Sequence, residues 1–369
     1  MPIQRLRIAG YRSVRQLSLE LGPMNVIVGA NGSGKTNLYR ALFLLAAAAE
    51  GRLARTLAEE GGTPSVMWAG PRQKHKPVRL MVEVEMAELV YELSCGIVPF
   101  DPTPPVVDPF CLDPEVKTEH LWAISGGRKV VLMERKDRTA FMRDVEGKRV
   151  TFPTELWSAE SVLDQLGEPH RFPRLSEVQR TFSAWRFYHH FRTDPDAPMR
   201  HPRVGVRTPV LAHDGADLAA ALQTILQIGD GRALARGIED AFPGAKLEVR
   251  SEEGRFSVLL HMPGLSRPMA AAELSDGTLR YLCLLAALLS PRPPEFLALN
   301  EPETSLHPDL MAPLGKLIQN AARFSQVWVT THSEALARGI AQATRCEPMY
   351  LVKQDGATRV EGSAEEEPE

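Results

Sequence analysis

The sequence predicts an α/β fold with a parallel core sheet, and three observations predict it. The first is residues 24–39, MNVIVGANGSGKTNLY: an apolar run, a glycine loop closed by Lys35 and Thr36, and the start of an apolar periodic segment. The second is the last third of the chain, where apolar strands at 296–299, 326–330 and 349–352 alternate with helical segments at 277–289, 308–322 and 333–343. Such alternation implies parallel strands joined by helices, with ligands at the carboxyl ends of the strands. The third is size and composition. A chain of 369 residues, 44% of them hydrophobic, is long enough for one large or two ordinary domains around a buried core.

Gly29, Gly34, Lys35 and Thr36 fit the pattern G-x-x-x-x-G-K-[ST]. Backbone N–H groups of such a loop cradle phosphates, its lysine reaches the outer ones and its hydroxyl meets magnesium. The pattern arises by chance in roughly one chain in a hundred of this length. Its position between an apolar strand and a helix makes an ordinary glycine turn the weaker reading.

The elements follow in order. Residues 3–8 alternate apolar and polar, and a turn at 10–13 leads into 17–21, a hairpin ahead of the strand that enters the glycine loop. The first helix runs over 35–50, and 61–76 reads as loop. Strands are expected at 78–86, 88–97, 120–124, 130–135 and 139–145, with hairpin turns at Gly126-Gly127 and Glu146-Gly147. The prolines of 99–114 break regular structure. Residues 155–166 and 174–184 have helical spacing, 186–191 reads as a strand, and 193–209 as an irregular connection. A helix pair at 218–228 and 232–242 precedes a hairpin at 246–250 and 255–262.

Charge and cysteines narrow the class little. The net charge of -3 argues for no global attraction to nucleic acid. Cys95, Cys111, Cys283 and Cys346 show neither C-x-x-C pairing nor zinc spacing, and read as buried or partly buried thiols of a reducing compartment. Residues 1–10 lack the apolar segment of a signal peptide, and no window has the length of a membrane span. The expectation is a cytoplasmic protein with no membrane partner.

Three further positions carry chemistry. The apolar strand 296–299 ends in Asn300 and Glu301, where a nucleotide site puts its magnesium contact and its water-activating base. Ser275 stands where it caps the helix at 277–289, whose N-terminus is an anion site. His332 follows the strand at 326–330 and is placed to bond a terminal phosphate or orient the attacking water. Alone, each has a plain structural reading as a strand end, a cap or a packed histidine; their order joins them.

That order resembles the ABC-type ATPases, and within them the RecF and structural-maintenance-of-chromosomes branch, related to the ATPase part of OLD-family proteins. Residues 29–36 look like Walker A, 274–278 like a divergent signature motif, 297–301 like Walker B, 302–308 like the D-loop of RecF-like and OLD-like proteins, and Thr331, His332 and Ser333 like the switch-histidine segment. Tyr11, Arg12 and Ser13 look like the N-terminal element of the branch. The resemblance implies a P-loop NTPase with an ABC-type head: a parallel core sheet plus an antiparallel β subdomain and a helical subdomain. It implies an N-lobe over 1–50, an insertion over 51–271 that is β-rich then helical, a C-lobe over 272–360, and a disordered acidic tail at 361–369.

It further implies ATP and Mg²⁺ as cofactors and a homodimer that forms head to head on ATP binding. Asn31, Gly32, Ser33, Gly34, Lys35 and Thr36 would bind nucleotide with Arg12, while Ser275 and Gly277 of the second copy close on the γ-phosphate. Thr36, Asn300 and Gln165 would hold or sense the metal. Glu301 would act as general base, with His332 beside it. Two departures stand out: Asn300 replaces the usual Walker B aspartate, and Asp276 replaces a signature glycine. A unit charge at about 4 Å in an effective dielectric near 20 is worth about 4 kcal/mol, so turnover is expected to be slow.

Two functions follow. One is ATP hydrolysis coupled to DNA in repair, chromosome maintenance or phage defence. Its local support is 186–207, where five arginines and three histidines accompany two aspartates, next to Trp185, Phe187 and Tyr188. The plain alternative for that stretch is a solvated basic loop. The other function is a slow nucleotide-gated dimerisation module that regulates an effector protein in trans. A transporter motor is less consistent with the long β-rich, proline-broken insertion.

Overall fold

The computed structural model describes residues 1–71, 79–97, 109–152, 155–165 and 167–362. The acidic tail from 363 and most of the proline-broken stretch at 99–114 lie outside the described residues. The chain divides into two compact units, one of Met1–Gly22, Gly29–Trp185 and Tyr350–Glu369, the other of Pro23–Val28 and Arg186–Met349. The 51–271 segment is therefore shared between them.

In the first unit, β1 (Ile3–Tyr11) and β2 (Val14–Glu20) form the expected hairpin. The chain then passes through β3 (Met24–Gly29) into α1 (Lys35–Ala49). Leu38, Leu42 and Leu45 on α1 are fully buried, each worth about 2 kcal/mol. The alanine-rich end of α1 is buried all round, as expected of a helix inside a core. Short helices α2 (Leu53–Glu59) and α3 (Thr63–Val66) follow, the second lying in a stretch expected to be loop. Strands β4 (Leu80–Met86), β5 (Leu89–Ile97), β6 (Pro114–Ser125), β7 (Arg128–Lys136), β8 (Thr139–Arg143) and β9 (Arg149–Thr151) complete an antiparallel sheet of order β2-β1-β4-β5-β6-β7-β8-β9. Gly126 and Gly127 both have positive φ, 57° and 76°, the geometry that two-residue hairpin turns require.

The expected helix over 155–166 is reduced to α4 (Val162–Gln165). Its preceding backbone bonds to the sheet. Leu156 N–H donates to the Arg138 carbonyl, and the buried Arg135 guanidinium donates to the carbonyls of Trp157 and Glu160. Glu119, fully buried, accepts from Ser161 Oγ at 2.7 Å and from Val162 N–H at 2.9 Å. The helix α5 (Pro173–Ala184) then packs on α1.

The second unit holds the parallel sheet. β10 (Arg186–Tyr188), β15 (Phe296–Asn300), β16 (Gln326–Thr331) and β3 lie side by side and parallel in that order. Every residue of β15 and β16 is buried, which is why 296–299 and 327–329 read as unbroken apolar runs. A second, antiparallel sheet has the order β11 (Arg203–Val204), β13 (Arg255–His261), β12 (Lys246–Glu252), with β14 (Met269–Ala270) on β13. Around them stand α6 (Leu218–Ile228), α7 (Gly231–Ala241), α8 (Asp276–Leu288), α9 (Met311–Ala321) and α10 (Glu334–Thr344). Tyr281 of α8 donates to the Gly237 carbonyl of α7 at 3.0 Å. A side chain on Gly237 would meet Leu285 at 2.5 Å, so glycine sets the close approach of these two helices.

The chain ends in the first unit with a hairpin of β17 (Met349–Gln354) and β18 (Ala357–Val360). Cys95 and Cys283 are buried and Cys346 half-buried as expected, whereas Cys111 is exposed. Among the described residues, no helix is long and apolar enough to cross a membrane.

Candidate functional site

The glycine loop is a shaped cradle. Gly32 and Gly34 have φ of 81° and 106°, a region that favours glycine. At Gly34 there is also no room, since a Cβ would lie 2.0 Å from Thr358 Oγ1. A Cβ on Gly29 would lie 2.5 Å from Ser33 Oγ and 2.9 Å from the Leu351 carbonyl oxygen. Lys35 is buried, and its ammonium donates to the carbonyls of Gly29 at 2.7 Å and Ala30 at 3.1 Å. Ser33 Oγ is buried with no hydrogen-bond partner among the described residues. Asn31 and Gly32 form the exposed rim, and Thr36 is half-buried on the first turn of α1. A close backbone, a central ammonium, an orphaned hydroxyl and the positive end of a 15-residue helix fit phosphate oxygens.

The loop is fastened by residues far away in sequence. Thr358 of β18 donates to the Ser33 carbonyl at 2.8 Å and lies 2.8 Å from Ser13 Oγ, which accepts from Asn37 Nδ2 at 2.8 Å. Ser13 is thus the residue by which the Tyr11-Arg12-Ser13 element reaches the loop. Arg12, at φ 48°, pairs instead with Glu60 at 2.8 Å. Glu60 also accepts from Tyr11 Oη at 2.7 Å, and burial with this carboxylate pushes the Tyr11 phenol well above its ordinary range. Thr358 was missed by sequence reasoning; Asp355-Gly356 between two apolar segments was the hairpin signal that could have found its strand.

In the second unit, the carboxyl ends of β15 and β16 lie together. Asn300, 2% exposed, is opposite Thr330, and Thr331 is opposite Val28 of β3, the strand that continues into the loop. The Asn300 amide is held at both ends: its Oδ1 accepts from Thr330 Oγ1 at 2.6 Å, and its Nδ2 donates to His189 Nδ1 at 2.6 Å. His189 immediately follows β10, whose Tyr188 pairs with Leu299. Glu301 is half-buried at φ 48°. Its N–H donates to the Thr330 carbonyl at 2.9 Å, and its own carbonyl accepts from Arg280 Nη2 at 3.1 Å. Burial holds the Arg280 guanidinium below its ordinary range, against the opposing pull of Glu303 and Glu301.

His332 is half exposed, and its carboxylate partner is Glu303. Glu303 Oε1 accepts from Thr331 Oγ1 at 2.5 Å and from His332 N–H at 2.9 Å, and lies 3.2 Å from His332 Nδ1.

The signature segment forms the start of α8. Ser275 caps it, accepting from Thr278 N–H at 3.2 Å. A Cβ on Gly277 would lie 2.6 Å from the Ser305 carbonyl oxygen, so this glycine is required where the signature and D-loop segments touch. Ser275, Gly277, Ser305 and His307 line one cavity of about 770 Å³. Asp276 pairs with Arg200 at 2.6 Å. Arg200 Nη1 also donates to the carbonyls of Ala271 at 3.2 Å and Leu274 at 2.8 Å, and its Nε to Thr193 at 2.9 Å. Arg200 therefore leaves the set of basic groups offered to nucleic acid, while Arg203 and Arg207 are exposed.

Gln165, the expected metal sensor, ends α4 in the first unit. Its Oε1 accepts from Trp157 N–H at 3.1 Å, and its Nε2 faces the carbonyls of Glu160 and Ser161 at 3.4 Å. Among the described residues no three His, Cys, Asp or Glu side chains cluster as a metal site.

A family model described as "AAA domain, putative AbiEii toxin, Type IV TA system" matches residues 149–338, and one described as "AAA ATPase domain" matches residues 1–66. The chain is similar to the DNA replication and repair protein RecF of Actinobacillus pleuropneumoniae serotype 5b (strain L20), 54% identical over 46 residues that make up 12% of this chain and 13% of that protein. RecF of Acidothermus cellulolyticus is 37% identical over 87 residues, 23% of this chain and 24% of that one. These matches thus span only an eighth to a quarter of the curated relatives. Among solved structures, an Smc head bound to the C-winged helix domain of ScpA superimposes with a TM-score of 0.58 at 15% identity over 98% of this chain and 97% of that one. An Smc head with an extended coiled coil, bound to the C-terminal domain of ScpA derived from Pyrococcus furiosus, gives 0.54 at 13% identity over 97% and 95%. At these identities the likeness is one of fold. With one family model spanning more than half of its length, the chain belongs to this AAA-domain family, and its fold is that of an ABC-type P-loop head.

Proposed function

We propose that this protein binds ATP with Mg²⁺, dimerises head to head around it, hydrolyses it slowly, and couples that cycle to DNA transactions. The observation that carries the reading is the side-by-side order of β15, β16 and β3, whose carboxyl ends bear Asn300 and Glu301, Thr331 and His332, and the glycine loop. Lys35 and the loop backbone would hold the phosphates, Thr36 and the Asn300 amide oxygen the hydrated magnesium. The ion supplies charge neutralisation across the phosphate oxygens. Glu301 accepts a proton from the attacking water, and His332 orients that water or bonds the outer phosphate. Ser275 and Gly277 close on the nucleotide of the second copy.

Coupling to DNA is supported by the partial similarity to RecF proteins and by the exposed Arg203 and Arg207. A second reading, a nucleotide-gated module regulating an effector in trans, is favoured by one observation: the amide at Asn300 is locked by Thr330 and His189 where a carboxylate is usual. Phosphate release measured with and without DNA, for the wild type and Glu301→Gln, tests both. DNA-stimulated release abolished by Glu301→Gln is expected. Nucleotide-dependent dimerisation without turnover would select the module, and release unchanged in Glu301→Gln would remove Glu301 from the mechanism.

A further inference from the structure

We infer that Glu303 is a positioning residue for the hydrolytic step, acting through His332. This rests on the ATPase reading above. Glu303 is 7% exposed, and a buried carboxylate is retained only where it is paired or hydrogen-bonded. Among the described residues its side chain bonds through Oε1, to three groups of one short segment: the Thr331 hydroxyl, the His332 N–H and His332 Nδ1. Oε2 is buried with no hydrogen-bond partner among the described residues. Glu301, two residues earlier, has its backbone fixed by Thr330 and Arg280 instead.

The consequence is a defined imidazole. A carboxylate at Nδ1 makes that nitrogen the proton carrier, so Nε2, on the far side of the half-exposed ring, is the nitrogen presented outward. Glu303 also fixes where the ring starts from. Thr331 Oγ1, while donating to Glu303, accepts from Ser333 N–H at 2.9 Å, and Ser333 Oγ accepts from Leu336 N–H at 3.2 Å to cap α10. One buried carboxylate therefore sets the tautomer of His332, its backbone and the first turn of the helix behind it.

The test has two arms. Protein labelled with ¹⁵N-histidine, with His332 identified by the signals lost in His332→Gln, reports the tautomer by NMR above neutral pH without nucleotide. Wild-type His332 is expected as the Nδ1–H form; the Nε2–H form would overturn the proposal with no variant needed. In the second arm, Glu303→Leu keeps the volume and removes the acceptor. It should lower kcat for ATP by about tenfold or more, the scale for partners that orient a site imidazole, with KM for ATP little changed. In a His332→Gln background the same substitution should add nothing. A loss that persists in that background, or no loss at all, would overturn the proposal. Absence of turnover in the wild type would instead remove the ATPase reading, while the tautomer would still report on the Glu303–His332 contact.

Discussion

Asn300 shows how a single amide is held at the end of a buried parallel strand. Its oxygen is tied to Thr330 and its nitrogen to His189, 111 residues earlier in the chain. The amide itself carries no charge, so a hydrated magnesium gains no charge attraction from it. Asn300→Asp keeps the Thr330 bond and adds a unit charge, worth up to about 4 kcal/mol near 4 Å at an effective dielectric of about 20. We expect the Mg²⁺ concentration for half-maximal turnover to fall at least tenfold, measured by titrating Mg²⁺ against phosphate release. An unchanged midpoint would mean that the missing charge does not limit metal use. The departure at Asn300 was legible in the sequence because the motif around it is contiguous. His189 and Glu303 were not, because their roles come from strand pairing and from a turn that folds back on the next strand.

At the scale of elements, the signature helix is held by an arginine from another segment. Arg200, with its side chain 9% exposed, bonds the carbonyls of Ala271 and Leu274 and the carboxylate of Asp276. The negative charge that Asp276 brings to the signature is thus already paired within the chain. Arg200→Ala would leave buried carbonyls without a donor and is expected to cost about 2–4 kcal/mol of stability, read by urea unfolding. Arg200→Lys should not restore it, since a single ammonium cannot reproduce the planar fork. Arg203→Ala with Arg207→Ala should stay within about 0.5 kcal/mol of wild type and instead flatten the salt dependence of DNA binding. Equal destabilisation by both sets would dissolve the distinction. The helices of the second unit were readable from their 3.6-residue spacing and caps. Residues 155–161 misread as helix because their backbone partners, Arg135 and Val116, lie on β7 and β6 and leave no local trace.

At the scale of the molecule, the two compact units interleave along the chain: Pro23–Val28 belongs with Arg186–Met349, although its flanks belong to the other unit. In the proposed dimer, the residues that motif order joins into one site come from different copies. The dimer would be two-fold symmetric, so that each of two equivalent sites takes Lys35 from one copy and Ser275 from the other. Lys35→Ala removes the phosphate-binding half of both sites, and Ser275→Arg obstructs the closing half of both. Each variant alone should be silent. Mixed in equal amounts, they pair at random, and about half of the dimers carry one of each. In such a mixed dimer one site receives both substitutions and the other neither. For independent sites, phosphate release should therefore return to about a quarter of the wild-type rate at the same total protein concentration. The rate should follow a bell-shaped curve as the mixing ratio is varied, with its maximum at equal amounts. A flat, silent mixture in which heterodimers are nonetheless captured by differential tagging would overturn the composite pair of independent sites.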